Sequence, residues 1–312
     1  MKINHKVIKR EFLSYIKNER GYSDHTISSY RIDISIFLKF CSEIFSDDLI
    51  DFNSINSKTI RKFLATEIDR GYSNNNGVKS FSTKTLKRRL ATVKSFFNYL
   101  YSFEKINDNP ALHVKTPKIE KKLPNFISED LIEELMNTPV ETPITSKIDG
   151  IRDKAILELF YATGLRLNEL LSLNICDVDG HEAMVKVMGK GGKERIVPIG
   201  DNALNCINKY LEEIGKSLNV NFNDPIFINK KGKRLPKRTL QERIKKYLYR
   251  VMGNGSVHTL RHTFATHLMD RGADILTIKE LLGHSSLSST QLYTSINPET
   301  IKNSYNKSHP RG

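Results

Sequence analysis

The chain has 312 residues, 38% hydrophobic and 27% charged, a balance that excludes a disordered chain and allows two domains of ordinary size. No run approaches the roughly 18 apolar residues of a membrane span, and the basic first ten residues lead into polar ones with no secretory signal evident. The formal net charge of +14 and three widely spaced cysteines without a Cys-x-x-Cys pair (Cys41, Cys176, Cys206) point to a polyanion partner and to reduced thiols in the cytoplasm.

In chain order, apolar spacing at Val7, Ile8, Phe12 and Ile16 predicts a helix over 6–20, stopped by Gly21. Ser23 caps a second with Ile27, Tyr30, Ile34, Phe37, Leu38 and Cys41. Asn56 or Ser57 opens a third through Ile60, Phe63, Leu64 and Ile68. Asn74 to Gly77 reads as a loop. A fourth helix from Ser82 or Thr83 turns Leu86, Leu90, Val93, Phe96, Phe97 and Leu100 inward, and Lys84, Lys87, Arg88, Arg89 and Lys94 occupy its remaining surface. These helices form a DNA-binding domain over 1–110. Residues 1–125 carry 23 Lys and Arg against 13 Asp and Glu, and counterion release makes such clustering favour DNA. A basic amphipathic helix also suits a membrane surface, but this one lies within a compact helical set and has no Trp beside it. Residues 111–125, with Pro117, Pro124 and several lysines, read as an interdomain linker.

A second domain, 126–312, opens with a helix start at Ser128-Glu129-Asp130, followed by a loop over 138–149 and a buried helix from Ile151 to Tyr161 that Thr163-Gly164 interrupts. Arg166 falls after that glycine, where side chains and backbone N–H groups converge on an anion. Its alternative role is an ion pair with Glu169 or Asp177. Residues 183–188 and 194–199 alternate as paired strands, and Gly189 to Lys193 form their turn. That turn is not a phosphate-cradling loop, because its spacing is wrong and no helix follows the lysine. A helix over 206–214, a short strand over 225–228 and a helix over 239–248 come next. Residues 230–250 hold ten positive charges and one negative, so Arg238, Arg243 and Lys245 are nominated with Lys84, Lys87, Arg88 and Arg89 as DNA contacts.

The carboxyl end collects the chemistry. His258 and Arg261, three apart, share a helix face. Gly283 ends a helix over 275–282, His284 follows it, and Tyr293 stands on a short segment beyond a Ser-rich turn. The histidines invite a metal reading, but His258 and His262 lack the Glu of a His-Glu-x-x-His site and no spaced acidic trio suggests two metals, so no metal or other cofactor is expected. Metal-free phosphoryl transfer instead needs forked guanidiniums on the phosphate, a cationic acid for the leaving oxygen and a nucleophile such as a tyrosine hydroxyl.

These residues stand in ordered words: Ala-Thr-Gly-Leu-Arg-Leu-Asn-Glu-Leu (162–170), Gly-Lys-Gly-Gly-Lys-Glu-Arg (189–195), His-Thr-Leu-Arg-His-Thr-Phe-Ala-Thr-His-Leu (258–268), Leu-Leu-Gly-His-Ser (281–285), Thr-Gln-Leu-Tyr-Thr (290–294) and His-Pro-Arg (309–311). In order and spacing the chain resembles the tyrosine recombinases, and among them the Xer-type bacterial site-specific recombinases. The resemblance implies a mainly α fold: a helical amino-terminal core-binding, SAM-like domain, and a mainly helical catalytic domain with a small antiparallel β-sheet. It implies that Arg166 and Arg261 clamp the scissile phosphate, Lys190 is the general acid, His258 assists proton transfer, His284 supports the phosphate and Tyr293 attacks, leaving a 3′-phosphotyrosyl link. The partners it implies are a double-stranded DNA recombination site, a homo- or hetero-tetramer of recombinases that exchange carboxyl-terminal tails, and a septal DNA translocase of the FtsK type. The setting it implies is the cytoplasmic nucleoid and the job is resolution of chromosome or plasmid dimers. A mobile-element integrase with the same chemistry and a catalytically silent DNA-binding protein are the alternatives. Two departures stand out: Ser256-Val257 where the family often has Ser-Pro, and the long loop over 138–149.

Overall fold

A computed structural model describes residues 2–45, 49–70, 72–74, 77–79, 83–115, 126–189, 192–283 and 298–311. The chain divides into two compact units, Met1–Lys122 and Leu123–Gly312.

The first unit is built on four helices: α1 (His5–Asn18), α2 (Asp24–Phe45), α3 (Ser57–Arg70) and α4 (Thr83–Ser102). The first three start where the sequence supplies a polar residue for the free N–H groups of a first turn. Asn4 Oδ1 accepts from Lys6 N at 2.9 Å, and Asn56 Oδ1 accepts from Lys58 N and Thr59 N at 2.9 and 3.0 Å. Ile8, Phe12 and Ile16 of α1, four residues apart, bury one stripe against α2 and α4. Edge-on pairs of Phe12 with Phe96 and Phe37 with Phe63 lock the layers, ring centroids 5.3 and 5.1 Å apart. Two short antiparallel pairs fringe the unit, β1 (Lys2–Asn4) with β2 (Leu49–Asp51) and β3 (Tyr72–Asn74) with β4 (Gly77–Lys79). The last pair occupies part of the expected loop. Val7 and Ile68, expected inward, are exposed.

The second unit carries the larger core. Its elements are α5 (Glu129–Glu141), α6 (Lys147–Thr163), α7 (Leu167–Ser172), β5 (Val178–Asp179), β6 (Met184–Met188), β7 (Glu194–Pro198), α8 (Asp201–Gly215), α9 (Lys237–Met252), α10 (Val257–Asp270), α11 (Ile275–Leu282) and α12 (Pro298–Ser308). Apart from the half-buried Lys154, α6 is buried all round from Asp149 to Thr163, as a helix does at the centre of a bundle; α5, α8, α9 and α10 surround it. The strands form one antiparallel sheet in the order β5-β6-β7, with Met188 opposite Glu194 at the hairpin end.

Two expectations are corrected. Most of 138–149 is helical: α5 continues to Glu141 through Pro139, and Ser146 starts α6 by accepting from Asp149 N, leaving only 142–146 between them. Residues 225–228 form no strand; isolated bridges join Pro225 to Asn174 and Ile228 to Arg234.

The last described segment is seated on its own unit. Tyr305 and His309 are buried, and Arg311 Nη1 donates to Glu158 Oε1 at 2.5 Å. None of the described helices is long and apolar enough to cross a membrane.

Candidate active site

The site begins where α6 ends. Gly164 takes the left-handed conformation, φ 56°, and closes the helix by donating to Phe160 O at 2.9 Å. A Cβ there would lie 2.4 Å from the Phe264 ring, so a glycine is what lets α10 press against this corner. One turn before Phe264, Arg261 then reaches across. Its Nη1 donates to Gly164 O at 2.5 Å and its Nη2 to Leu282 O at 2.6 Å.

Two residues past Gly164, Arg166 precedes the first turn of α7. Its backbone N–H and its Nη1 both donate to Glu169, at 2.8 Å each, and its Nη2 donates to Gly283 O at 2.9 Å. A third guanidinium arrives from the sheet. Arg195 of β7 donates through Nη1 and Nη2 to the two oxygens of Glu169, at 3.1 and 2.8 Å, and through Nε to Leu281 O at 3.3 Å. Three consecutive carbonyls at the carboxyl end of α11 therefore each accept from a different arginine: Leu281 from Arg195, Leu282 from Arg261, Gly283 from Arg166. Those carbonyls lack partners within their own helix and lie at its negative pole, which favours cations there.

Among the described residues this corner holds three guanidiniums and one carboxylate. Burial works to raise the Glu169 carboxyl, but hydrogen bonds from Arg195 and from the backbone and side chain of Arg166 outweigh it and hold the group ionised below its ordinary range. Burial, then the neighbouring Arg166 and Arg195 charges, push Arg261 down to about 10 against the partial relief of Glu169. It stays a cation at neutral pH. A guanidinium has five N–H groups, and the bonds above commit two each from Arg166 and Arg261. The remaining donors and the excess positive charge suit a phosphate.

Of the nominated catalytic residues, the structure brings Arg166 and Arg261 together and leaves His258 exposed on the first turn of α10, three residues before Arg261. Lys190, His284 and Tyr293 lie outside the described residues. Sequence reasoning named Glu169 only as an ion-pair partner for Arg166, which it is, and overlooked Arg195. The period of two in β7 was the available signal: Arg195 lies on the side of buried Val197, opposite exposed Ile196.

The nominated DNA contacts divide. Lys84 and Lys245 are exposed, and Lys87 is half-buried. Arg238 is exposed and pairs with Glu242 at 2.9 Å; Arg88 pairs with buried Asp33. Arg89 and Arg243 are corrections: both are buried, Arg89 against Glu67 and Arg243 against Asp153, because each sits inside the apolar stripe of its helix. No group of three His, Cys, Asp or Glu side chains that could hold a metal occurs among the described residues. His267 is a packing residue, buried with Nδ1 2.7 Å from the Tyr161 hydroxyl.

The phage integrase family model matches residues 125–300, and the model of its amino-terminal SAM-like domain matches residues 10–103. A tyrosine recombinase XerC of Natranaerobius thermophilus is 39% identical, with 96% of this chain and 98% of that protein covered. A tyrosine recombinase XerD of Oceanobacillus iheyensis is 36% identical, with 96% and 97% covered. Among solved structures, the XerH site-specific recombinase bound to its difH substrate aligns with a TM-score of 0.64 at 22% identity, covering 95% of this chain and 83% of that one, a likeness of fold. The matched models span most of both units, and the chain belongs to the phage integrase family, as a site-specific tyrosine recombinase that transfers DNA strands.

Proposed function

We propose that the guanidinium corner is the scissile-phosphate site of a Xer-type recombinase. Arg166 and Arg261 hold the non-bridging oxygens. The Tyr293 hydroxyl attacks phosphorus, His258 assisting removal of its proton, and a bond forms from the phenolic oxygen as the bond to the 5′ oxygen breaks. Lys190 supplies the proton that the departing oxygen needs, and His284 supports the phosphate. The products are a 3′-phosphotyrosyl ester and a 5′ hydroxyl, and reversal by another strand's 5′ hydroxyl rejoins DNA without a nucleotide cofactor. The observation that carries this reading is the convergence of Arg166 and Arg261 on adjacent carbonyls in a corner with two excess positive charges among the described residues. Fixed cations aimed at a phosphorus centre stabilise charge that grows in the transition state.

The site's setting completes the proposal. The DNA is a specific recombination site, bound by a tetramer of identical or related recombinases, in which the carboxyl-terminal tail that packs on its own unit in the free chain leaves it for a neighbour. The task is resolution of chromosome or plasmid dimers in the cytoplasm at the nucleoid, under a septal translocase of the FtsK type. Relatives at closely similar identity carry both the XerC and XerD names, so either role within a pair fits.

Nicked suicide duplexes carrying the recombination site test the chemistry. Wild-type protein accumulates a covalent protein–DNA adduct, Tyr293→Phe binds the duplex and forms none, and Arg261→Ala forms adduct about 100- to 1,000-fold more slowly with little loss of affinity. Adduct from Tyr293→Phe would overturn the assignment of the nucleophile.

A further inference from the structure

Arg195 has no part in the roles just assigned, yet its side chain is only 16% exposed, against 40% for Arg166. It grips both carboxylate oxygens of Glu169 with a forked pair of bonds and ties β7 to Leu281 O. Gly283 has φ 62°, and a Cβ there would lie 3.0 Å from the Arg195 Cζ and Nη1; one on Gly189 would lie 3.6 Å from Nη1. The guanidinium thus fills the space beside the residues that immediately precede His284 and Lys190.

The charges explain what it does there. A buried carboxylate bonded to one guanidinium cancels it. With Arg166 as its only cation, Glu169 would leave the phosphate facing the net charge of Arg261 alone. The fork from Arg195 uses one lone pair on each Glu169 oxygen, while the Arg166 side chain bonds only Oε1. We propose that Arg195 is a positioning residue of the phosphate clamp, taking up the charge of Glu169 so that Arg166 meets the phosphate as an uncancelled cation. This rests on the phosphoryl-transfer reading above. The mutual repulsion of Arg166, Arg195 and Arg261 accords with it, because together with burial it outweighs Glu169 in depressing Arg261.

Adduct formation on nicked suicide duplexes, with DNA affinity measured alongside, tests this in four proteins: wild type, Arg195→Gln, Arg195→Lys and the double variant Glu169→Gln/Arg195→Gln. Arg195→Gln is expected to form adduct about 100-fold more slowly at unchanged affinity, the cost typical of a misplaced clamp. Arg195→Lys, which keeps the charge without the fork, stays within about tenfold of wild type, and the double variant, which restores the corner to two net charges, recovers at least about tenfold over Arg195→Gln. The single and double glutamine variants lose the same guanidinium, so a purely structural role predicts no recovery. A double variant no faster than Arg195→Gln, an Arg195→Lys as slow as Arg195→Gln, or an Arg195→Gln as fast as wild type would each overturn the proposal while leaving the phosphoryl-transfer reading intact. Absence of adduct from wild type would remove both.

Discussion

Arg243 donates from Nε to Asp153 Oδ2 at 2.6 Å, joining α9 to the central helix α6 across 90 residues of sequence. Tyr247 donates to the same oxygen at 2.8 Å, and Arg152 holds the other at 3.1 Å. The most basic stretch of the chain is thereby split: Arg243 is turned inside, whereas Lys245 and Lys246 stay exposed. Removing one member of a buried ion pair leaves the other charge unpaired, which costs about 3–5 kcal/mol. Because Arg152 and Tyr247 stay on the carboxylate, Arg243→Met is expected near the lower figure, about 3 kcal/mol, read from urea unfolding.

The same split predicts opposite behaviour in DNA binding. Lys245→Ala removes an exposed cation and should lower the slope of log affinity against log salt by about one, with affinity falling similarly on any sequence. Arg243→Met, measured well below its unfolding transition, should leave that slope unchanged. An Arg243 variant whose salt slope drops by a full charge would place its guanidinium on a phosphate after all.

Gly164 couples packing to chemistry. Gly164→Ala puts a Cβ 2.4 Å from the Phe264 ring at a backbone φ of 56°, so α10 must withdraw or the turn must change. Either movement displaces the carbonyl that receives Arg261. The expected results are a loss of about 1–3 kcal/mol of stability and an adduct rate that falls by more than the DNA affinity does. Wild-type cleavage kinetics from this variant would show that the Gly164 carbonyl does not set the position of Arg261.

Much of this architecture was legible in residue spacing, and the failures were local. The stripe Ile8, Phe12, Ile16 and the stripe through Leu86, Leu90, Val93 and Phe97 locate α1 and α4, since apolar side chains at helical spacing have one place to go. The errors came from counting charge without its phase. Arg89 adjoins Leu90 and lies three residues from Leu86 and four from Val93; Arg243 stands likewise to Ile244, Leu240 and Tyr247. Their own helices turn both inward. Pro139 and the threonines around it read as a loop because they are poor helix formers, and tertiary packing on α6 overrides that preference. The clamp was half legible. Arg166 and Glu169, three apart, predict their own ion pair, whereas the meeting of Arg195 with Leu281 joins segments 86 residues apart whose contact no local pattern encodes.

His309 provides the pH dependence. Its Nε2–H donates to Tyr161 O at 3.2 Å and its Nδ1 accepts from Arg311 N at 3.0 Å, so both nitrogens are satisfied in the neutral ring and a second proton would face an N–H. Burial, helped by the nearby His267, Arg311 and Arg271, pushes it down to about 3 despite the Tyr161 carbonyl. Burial lowers His267 as well, against Glu129 and Asp270. A histidine with a folded pKa below its unfolded value of about 6.5 gives stability that is complete above pH 6.5 and lost as the pH falls, because the unfolded chain binds the extra proton. Glu158 has the opposite sign: burial raises its carboxyl in spite of Arg311, so acidification stabilises it as pH falls towards its unfolded value near 4.5. Between pH 6.5 and 5 the His309 contribution by itself is about 2 kcal/mol of lost unfolding free energy, set against the opposite contribution of Glu158. His309→Gln should be less stable than wild type at pH 7.5 by about 1–3 kcal/mol, the cost of an imperfectly satisfied buried site. Its stability should nevertheless fall less steeply between pH 6.5 and 5 than that of wild type, because the slope owed to His309 is gone. Parallel pH profiles for wild type and His309→Gln in urea unfolding would mean that His309 carries no linked proton.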